Sequence, residues 1–81
     1  MKIHKLKIMP KYFEEISDKK KKFEIRKNDR CFEVGDLVVL NEYNDGKYTG
    51  RVITRRVTYI YYGTGEFGLE KGYCILGLSD D

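Results

Sequence analysis

Tyr48 to Tyr62 is a long stretch of β-branched and aromatic residues interleaved with arginine and a single glycine, Gly50. Such side chains lose rotamer freedom in a helix and pack well on a pleated surface, so the run predicts one long strand. Its alternation changes phase at Arg55-Arg56, which predicts a bulge or bend at that point. A chain built around such a strand must supply it with neighbours.

The remaining segments have the pattern to be those neighbours. His4, Leu6 and Ile8 share one face of a period-two segment, with Lys5 and Lys7 on the other, as in a half-buried strand. Pro10 stands where a first helical turn places it. Tyr12, Phe13 and Ile16 then make a core-facing stripe on a two-turn helix that Ser17-Asp18 ends. The lysine run from Lys19 to Lys22 is a solvated turn. From Lys22 to Lys27 the alternation returns, with Phe23 and Ile25 opposite Lys22, Glu24 and Arg26. Turns are expected at Asn28-Asp29 and at Glu33 to Asp36, before the β-prone segment Leu37 to Tyr43. Asn44-Asp45-Gly46 is a hairpin turn, because Asp-Gly favours left-handed turn geometry. A glycine-rich loop from Gly63 to Gly72 leads to a last strand, Tyr73 to Leu78.

One short helix and about five strands, with frequent turns, predict a mixed α+β but mainly β fold, a small curved sheet closed into a barrel. No repeat or linker divides residues 1–81, so a single domain is expected. An apolar fraction of 41% and a net charge of only +3 are those of a chain that folds. No apolar run approaches the roughly 20 residues that cross a bilayer, and charges interrupt the segment after Met1. The expected location is the cytoplasm, with Cys31 and Cys74 as free thiols.

Charge is unevenly distributed. Residues 1–30 hold eleven of the sixteen Lys and Arg against five acids, and the rest of the chain holds five bases against eight acids. A basic half suits a polyanion such as RNA or a nucleotide phosphate, and equally a solubilising lysine surface.

The most informative phrase is Lys21-Lys22-Phe23-Glu24-Ile25-Arg26. It places a carboxylate and a guanidinium on one face of a strand, beside a lysine at the preceding turn. Arginine offers a planar fork for phosphate or a base edge, and lysine a point charge. A carboxylate between two cations is held ionised, able to accept hydrogen bonds or take part in proton transfer. The same residues also make an ordinary surface ion pair of small energetic value.

This phrase resembles the signature of the ASCH domains, a branch of the PUA-like superfamily: Gly, any, Lys, any, any, Glu, any, Arg. Lys21, Glu24 and Arg26 stand at three of the four defining positions, and Lys19 replaces the glycine. His-x-Leu-Lys-Ile-x-Pro-x-Tyr-Phe at the start, Phe-Glu-Ile-Arg-Lys-Asn-Asp-Arg, Val-Gly-Asp, Tyr-Thr-Gly-Arg and Gly-Leu-x-x-Gly-Tyr extend the likeness, which points to a small bacterial and phage branch of these domains. The resemblance implies a PUA-like pseudobarrel with a cleft between barrel and helix, where relatives bind RNA or modified nucleosides. Small ASCH amidohydrolases that act on acetylated cytidine carry a threonine three residues after the lysine. Glu24 stands there in this chain and is a poor acyl-transfer nucleophile. Other ASCH members are described as ribonucleases, and the resemblance then implies that Lys21, Glu24 and Arg26 would divide acid–base work and phosphate stabilisation.

The expectation is therefore an RNA- or nucleotide-binding module whose ligand meets Lys21, Glu24, Arg26 and Arg30, with Lys19, Lys20 and Lys22 as nonspecific phosphate contacts. Tyr43 and Tyr48, flanking the Asp45-Gly46 turn, are the candidates for base stacking among the tyrosines and arginines of the strands. The alternatives are an enzyme in the same cleft, with Lys21 and Glu24 catalytic, and a phage or host protein-interaction module. Gly63-Thr64-Gly65-Glu66-Phe67-Gly68 spells the dinucleotide fingerprint, but no helix of useful length can follow it, so a cofactor is not expected. His4, the one histidine, cannot build a His-based metal site or a catalytic triad and is expected at a barrel end.

Overall fold

A computed structural model describes all residues from Met1 to Asp81. Strand β1 (Ile3–Ile8) is followed by helix α1 (Pro10–Ser17), β2 (Phe23–Lys27), β3 (Leu37–Asn44), β4 (Lys47–Tyr62) and β5 (Tyr73–Leu78). The five strands form one mixed sheet in the order β1-β3-β4-β5-β2. Only the β1–β3 pair is parallel.

The long strand organises the rest. β4 pairs with β3 from Lys47 to Arg56 and with β5 from Val57 to Tyr62, exchanging partners where the alternation shifts phase. The β4–β5 register slips between Val57 and Tyr59, so the bend falls within two residues of its expected place. At the hairpin before it, Asp45 and Gly46 take φ of 53° and 82°, the left-handed pair that a tight turn needs.

Alternation in each strand delivers one apolar set inward: Leu6 and Ile8 from β1, Val38 and Leu40 from β3, Val57 and Ile60 from β4, and Cys74, Leu76 and Leu78 from β5. Phe13 and Ile16 of α1 close this core, and α1 packs against β3. Pro10 starts the helix at a position that needs no amide donor. Tyr12, expected on the core stripe, faces out instead, because a two-turn helix lying on a sheet buries only the residues directly beneath it.

Closure is where the fold departs from expectation. Strand pairing does not complete a barrel, and β1 and β2 are the two edges of the sheet. A single side chain joins them: the Arg26 guanidinium of β2 donates to the main-chain carbonyl of Lys7 in β1 at 2.5 Å. Beside it the Glu24 side chain is also turned inward, and the two charged groups occupy the place of a direct ladder.

His4 lies at the sheet end, buried, with its ring against Phe32 and Nε2 2.8 Å from the Asp36 carboxylate. That carboxylate also accepts the amides of Lys2 and Glu33, tying the β2–β3 connection to the chain start. Burial raises the Asp36 pKa, but the His4 and backbone hydrogen bonds outweigh it and bring it down to about 2. Cys31 is exposed and Cys74 buried, both as free thiols. Burial raises the Cys74 pKa.

The Gly63–Gly68 phrase leads only to a short 3-10 turn, Glu66–Gly68. Its first glycine is required by close approach, since a Cβ there would lie 2.1 Å from the Glu70 carbonyl oxygen. No helix of the protein is long and apolar enough to cross a membrane.

Candidate functional site

Between the open edges of β1 and β2, under one end of α1, lies a cleft of about 510 Å³. It is lined by Lys7, Ile8 and Met9 at the end of β1, Tyr12 of α1, Lys21 of the turn, and Phe23, Glu24, Ile25 and Arg26 of β2. The three residues of the charged phrase thus meet in one cavity.

Their arrangement follows from the local chain. α1 ends at Ser17, and Lys19 takes a left-handed φ of 62°, with the amides of Lys20 and Lys21 returning to the Glu15 carbonyl. This reversal brings Lys21 to the mouth of β2. Pleating then turns Glu24 inward and leaves Phe23 and Ile25 exposed, so the charged face of β2 is the inner one.

Glu24 is 5% exposed, and cations hold both its carboxylate oxygens. Lys21 Nζ bonds Oε1, while Arg26 meets Oε2 through Nε at 3.0 Å and through Nη2 at 2.9 Å. Lys21 Nζ also donates to the Phe23 carbonyl at 2.8 Å and lies 5.1 Å and 4.9 Å from the ring centres of Tyr12 and Phe23. Arg26 uses Nε and Nη2 for Glu24 and the Lys7 carbonyl, and Nη1 makes no bond within the protein. Glu24 therefore acts as an internal anchor that fixes two cations, each with donors to spare, at the wall of an open cleft.

The other expected contacts are distributed more widely. Arg30 lies beside a smaller cavity of about 150 Å³ that it shares with Arg26 and Lys27. Tyr43 and Tyr48 do not line the cleft. They pack edge to face on one another, ring centres 5.0 Å apart, and Lys7 Nζ sits 4.3 Å above Tyr43. The tyrosine pair thus reaches the cleft only through Lys7. Lys19, Lys20 and Lys22 are exposed, and Lys22 pairs with Asp80 at 3.2 Å.

Arg51, on β4, is tied into the fold itself. It grips the buried Glu42 with Nε at 3.0 Å and Nη2 at 2.8 Å, also bonds Glu14, and covers the Phe13 ring. Hydrogen bonds from Arg51 and Thr49 outweigh burial and hold the Glu42 carboxyl down to about 2, and Glu42 and Glu14 in turn raise the Arg51 pKa. Sequence reasoning missed this pair, along with Lys7 and Tyr12 as cleft residues.

A family model described as a domain of unknown function, DUF3850, matches residues 3–78. A stretch of 57 residues, 70% of this chain, is 44% identical to an uncharacterised 12.9 kDa protein in the GpA 3′ region of Escherichia phage P2. The match covers 52% of that protein, so the chain spans about half the length of its phage relative.

Proposed function

The chain belongs to the DUF3850 family, and on that footing we propose that it is a binding module for RNA or a nucleotide-like ligand, held in the cleft between β1 and β2. The observation that carries the reading is the buried Glu24 clamped between Lys21 and Arg26 at the wall of a cleft of about 510 Å³. That volume lies within the range of small-molecule sites, roughly 300–1,000 Å³. Cations with spare donors suit a phosphate, and the rings of Tyr12 and Phe23 suit a base. The exposed Lys19 and Lys20, which precede Lys21 in the chain, supply long-range attraction.

The likeness to ASCH and other PUA-like domains belongs to the same reading. Lys19 occupies the signature's glycine position and adopts the left-handed conformation that glycine favours, which supports an equivalent turn. The closed barrel of that likeness corresponds here to an open sheet whose gap Arg26 bridges. Engagement of both Glu24 oxygens by cations favours binding over catalysis, since a carboxylate committed to two ion pairs is a weak base toward a substrate.

Titration of the protein with short single-stranded RNA and with mononucleotides tests this. Affinity should fall steeply between about 50 and about 200 mM salt. Arg26→Ala should weaken binding about tenfold or more, and Lys20→Ala only severalfold. Binding indifferent both to salt and to Arg26→Ala would sink the proposal. Turnover of RNA or an acetylated nucleoside that vanishes in Lys21→Ala and Glu24→Gln would replace it with an enzyme.

A further inference from the structure

Hydrogen-bond register determines which main-chain groups the two walls of the cleft present. In β2 the Lys22 carbonyl accepts from Leu78, and the Asn28 amide donates to Gly72. These are the hydrogen-bonded pairs of an antiparallel ladder, so the residues between them alternate. Glu24 and Arg26 turn their amide and carbonyl toward β5. Phe23, Ile25 and Lys27 turn theirs to the open edge. The Phe23 carbonyl takes the Lys21 ammonium at 2.8 Å. The Ile25 N–H and C=O face the gap with no strand to receive them, and Ile25 lines the cleft.

The opposite wall obeys the parallel rule. The Leu37 amide donates to the Lys2 carbonyl, so even-numbered residues of β1 face β3, and Ile3, Lys5 and Lys7 face outward. Arg26 takes the Lys7 carbonyl at 2.5 Å, leaving the Lys7 N–H toward the cleft.

An extended residue carries its N–H and C=O side by side on one edge, a donor next to an acceptor. Two kinds of ligand match that pair: a further peptide strand, or a flat heterocycle with an adjacent acceptor and donor. The Arg26–Lys7 bridge spans the gap from edge to edge, so a continuous strand cannot run between β1 and β2 without breaking it. A compact ring meets no such obstacle, and the Tyr12 and Phe23 rings border the same cavity.

We infer that the cleft reads a nucleobase through the main chain of Ile25, whose N–H and C=O pair with an acceptor and donor on the base's hydrogen-bonding edge. This rests on the nucleotide reading above and adds the group recognised. The base edge is then the specificity element, and Lys21 and Arg26 act on the charged part of the ligand.

The four common ribonucleoside monophosphates, and counterparts methylated on the pairing edge such as N3-methyluridine and N1-methylguanosine monophosphates, are titrated into the protein. Variants Ile25→Pro and Ile25→Ala are measured beside the wild type, with circular dichroism as the check on folding. Proline removes an amide that serves no ladder bond, which an edge strand tolerates. At least one parent nucleotide should bind, and edge methylation and Ile25→Pro should each weaken it about tenfold. Ile25→Ala, which keeps the amide, should cost less. If Ile25→Pro does not fold, the methylated ligands on wild type decide.

Parent and methylated nucleotides bound equally well, while Arg26→Ala still weakens both, would overturn the base-edge inference and leave the nucleotide reading standing. No nucleotide binding at all would overturn both. Capture of an extended peptide in place of nucleotides would assign these edges to strand addition.

Discussion

Glu24 and Glu42 are two buried glutamates, each gripped by an arginine of the sheet, yet the molecule puts them to different uses. Glu42 sits in the β3–β4 pair at a register irregularity and is enclosed by Arg51 and Thr49, with Arg51 reaching on to Glu14 of the helix. It joins helix to sheet and borders neither described cavity. Glu24 lies on an edge strand, and its cations stand at the wall of a cleft. A buried ion pair costs desolvation wherever it occurs. Inside the sheet the return on that cost is a joined fold. At the open edge it is a pair of oriented cations.

Truncating each arginine separates the two uses. Arg51→Ala leaves the Glu42 carboxylate buried without its main partner and should lower Tm by on the order of 10 °C, measured by thermal denaturation. Arg26→Ala leaves Lys21 on Glu24 and should shift Tm much less while abolishing most ligand binding. Equal losses of stability in the two variants would show Glu24 to be as structural as Glu42.

Acid sharpens the contrast. Asp36 and Glu42 have folded-state pKa values depressed to about 2 from ordinary values of 3.8 and 4.5. The unfolded chain therefore takes up protons first, and the stability these groups supply is complete above about pH 5 and lost as pH falls toward 2. Urea unfolding at successive pH values should show that decline. Asp36→Asn and Glu42→Gln should flatten it, each starting from lower stability at neutral pH.

The smallest expected effect concerns the turn that delivers Lys21. Lys19 holds φ of 62°, which is unfavourable for a residue with a Cβ. Lys19→Gly relieves that strain and loosens the unfolded chain, and the balance should stabilise the fold by about 0.5 kcal/mol in denaturant titration. Destabilisation would mean that the lysine side chain, rather than its backbone, matters at this point.

Much of the architecture was legible because local rules were followed. Pro10, the Asp45-Gly46 turn and the phase change at Arg55-Arg56 each act within a few residues, and the corresponding features lie at or next to those positions. The bringing together of Lys21, Glu24 and Arg26 was legible for the same reason, since turn and strand are contiguous. Pairings across long separations were not. His4 with Asp36 and Arg51 with Glu42 and Glu14 depend on strand order, to which local pattern is blind.

What the amino-acid order determined by itself was the identity of the elements and the two faces of each strand, because a period of two is a property of a few neighbouring residues. It placed Glu24 and Arg26 on one face of β2 and Phe23 and Ile25 on the other. Only tertiary structure decided which face is inside. β2 pairs with β5 alone, at the edge beside β1, and the inner space there is filled by a carboxylate whose cations neutralise it rather than by an apolar side chain. The apolar residues stay outside, and the sheet stays open between β1 and β2 because the groups that meet across the gap are a guanidinium and a carbonyl, joined by one hydrogen bond instead of a ladder.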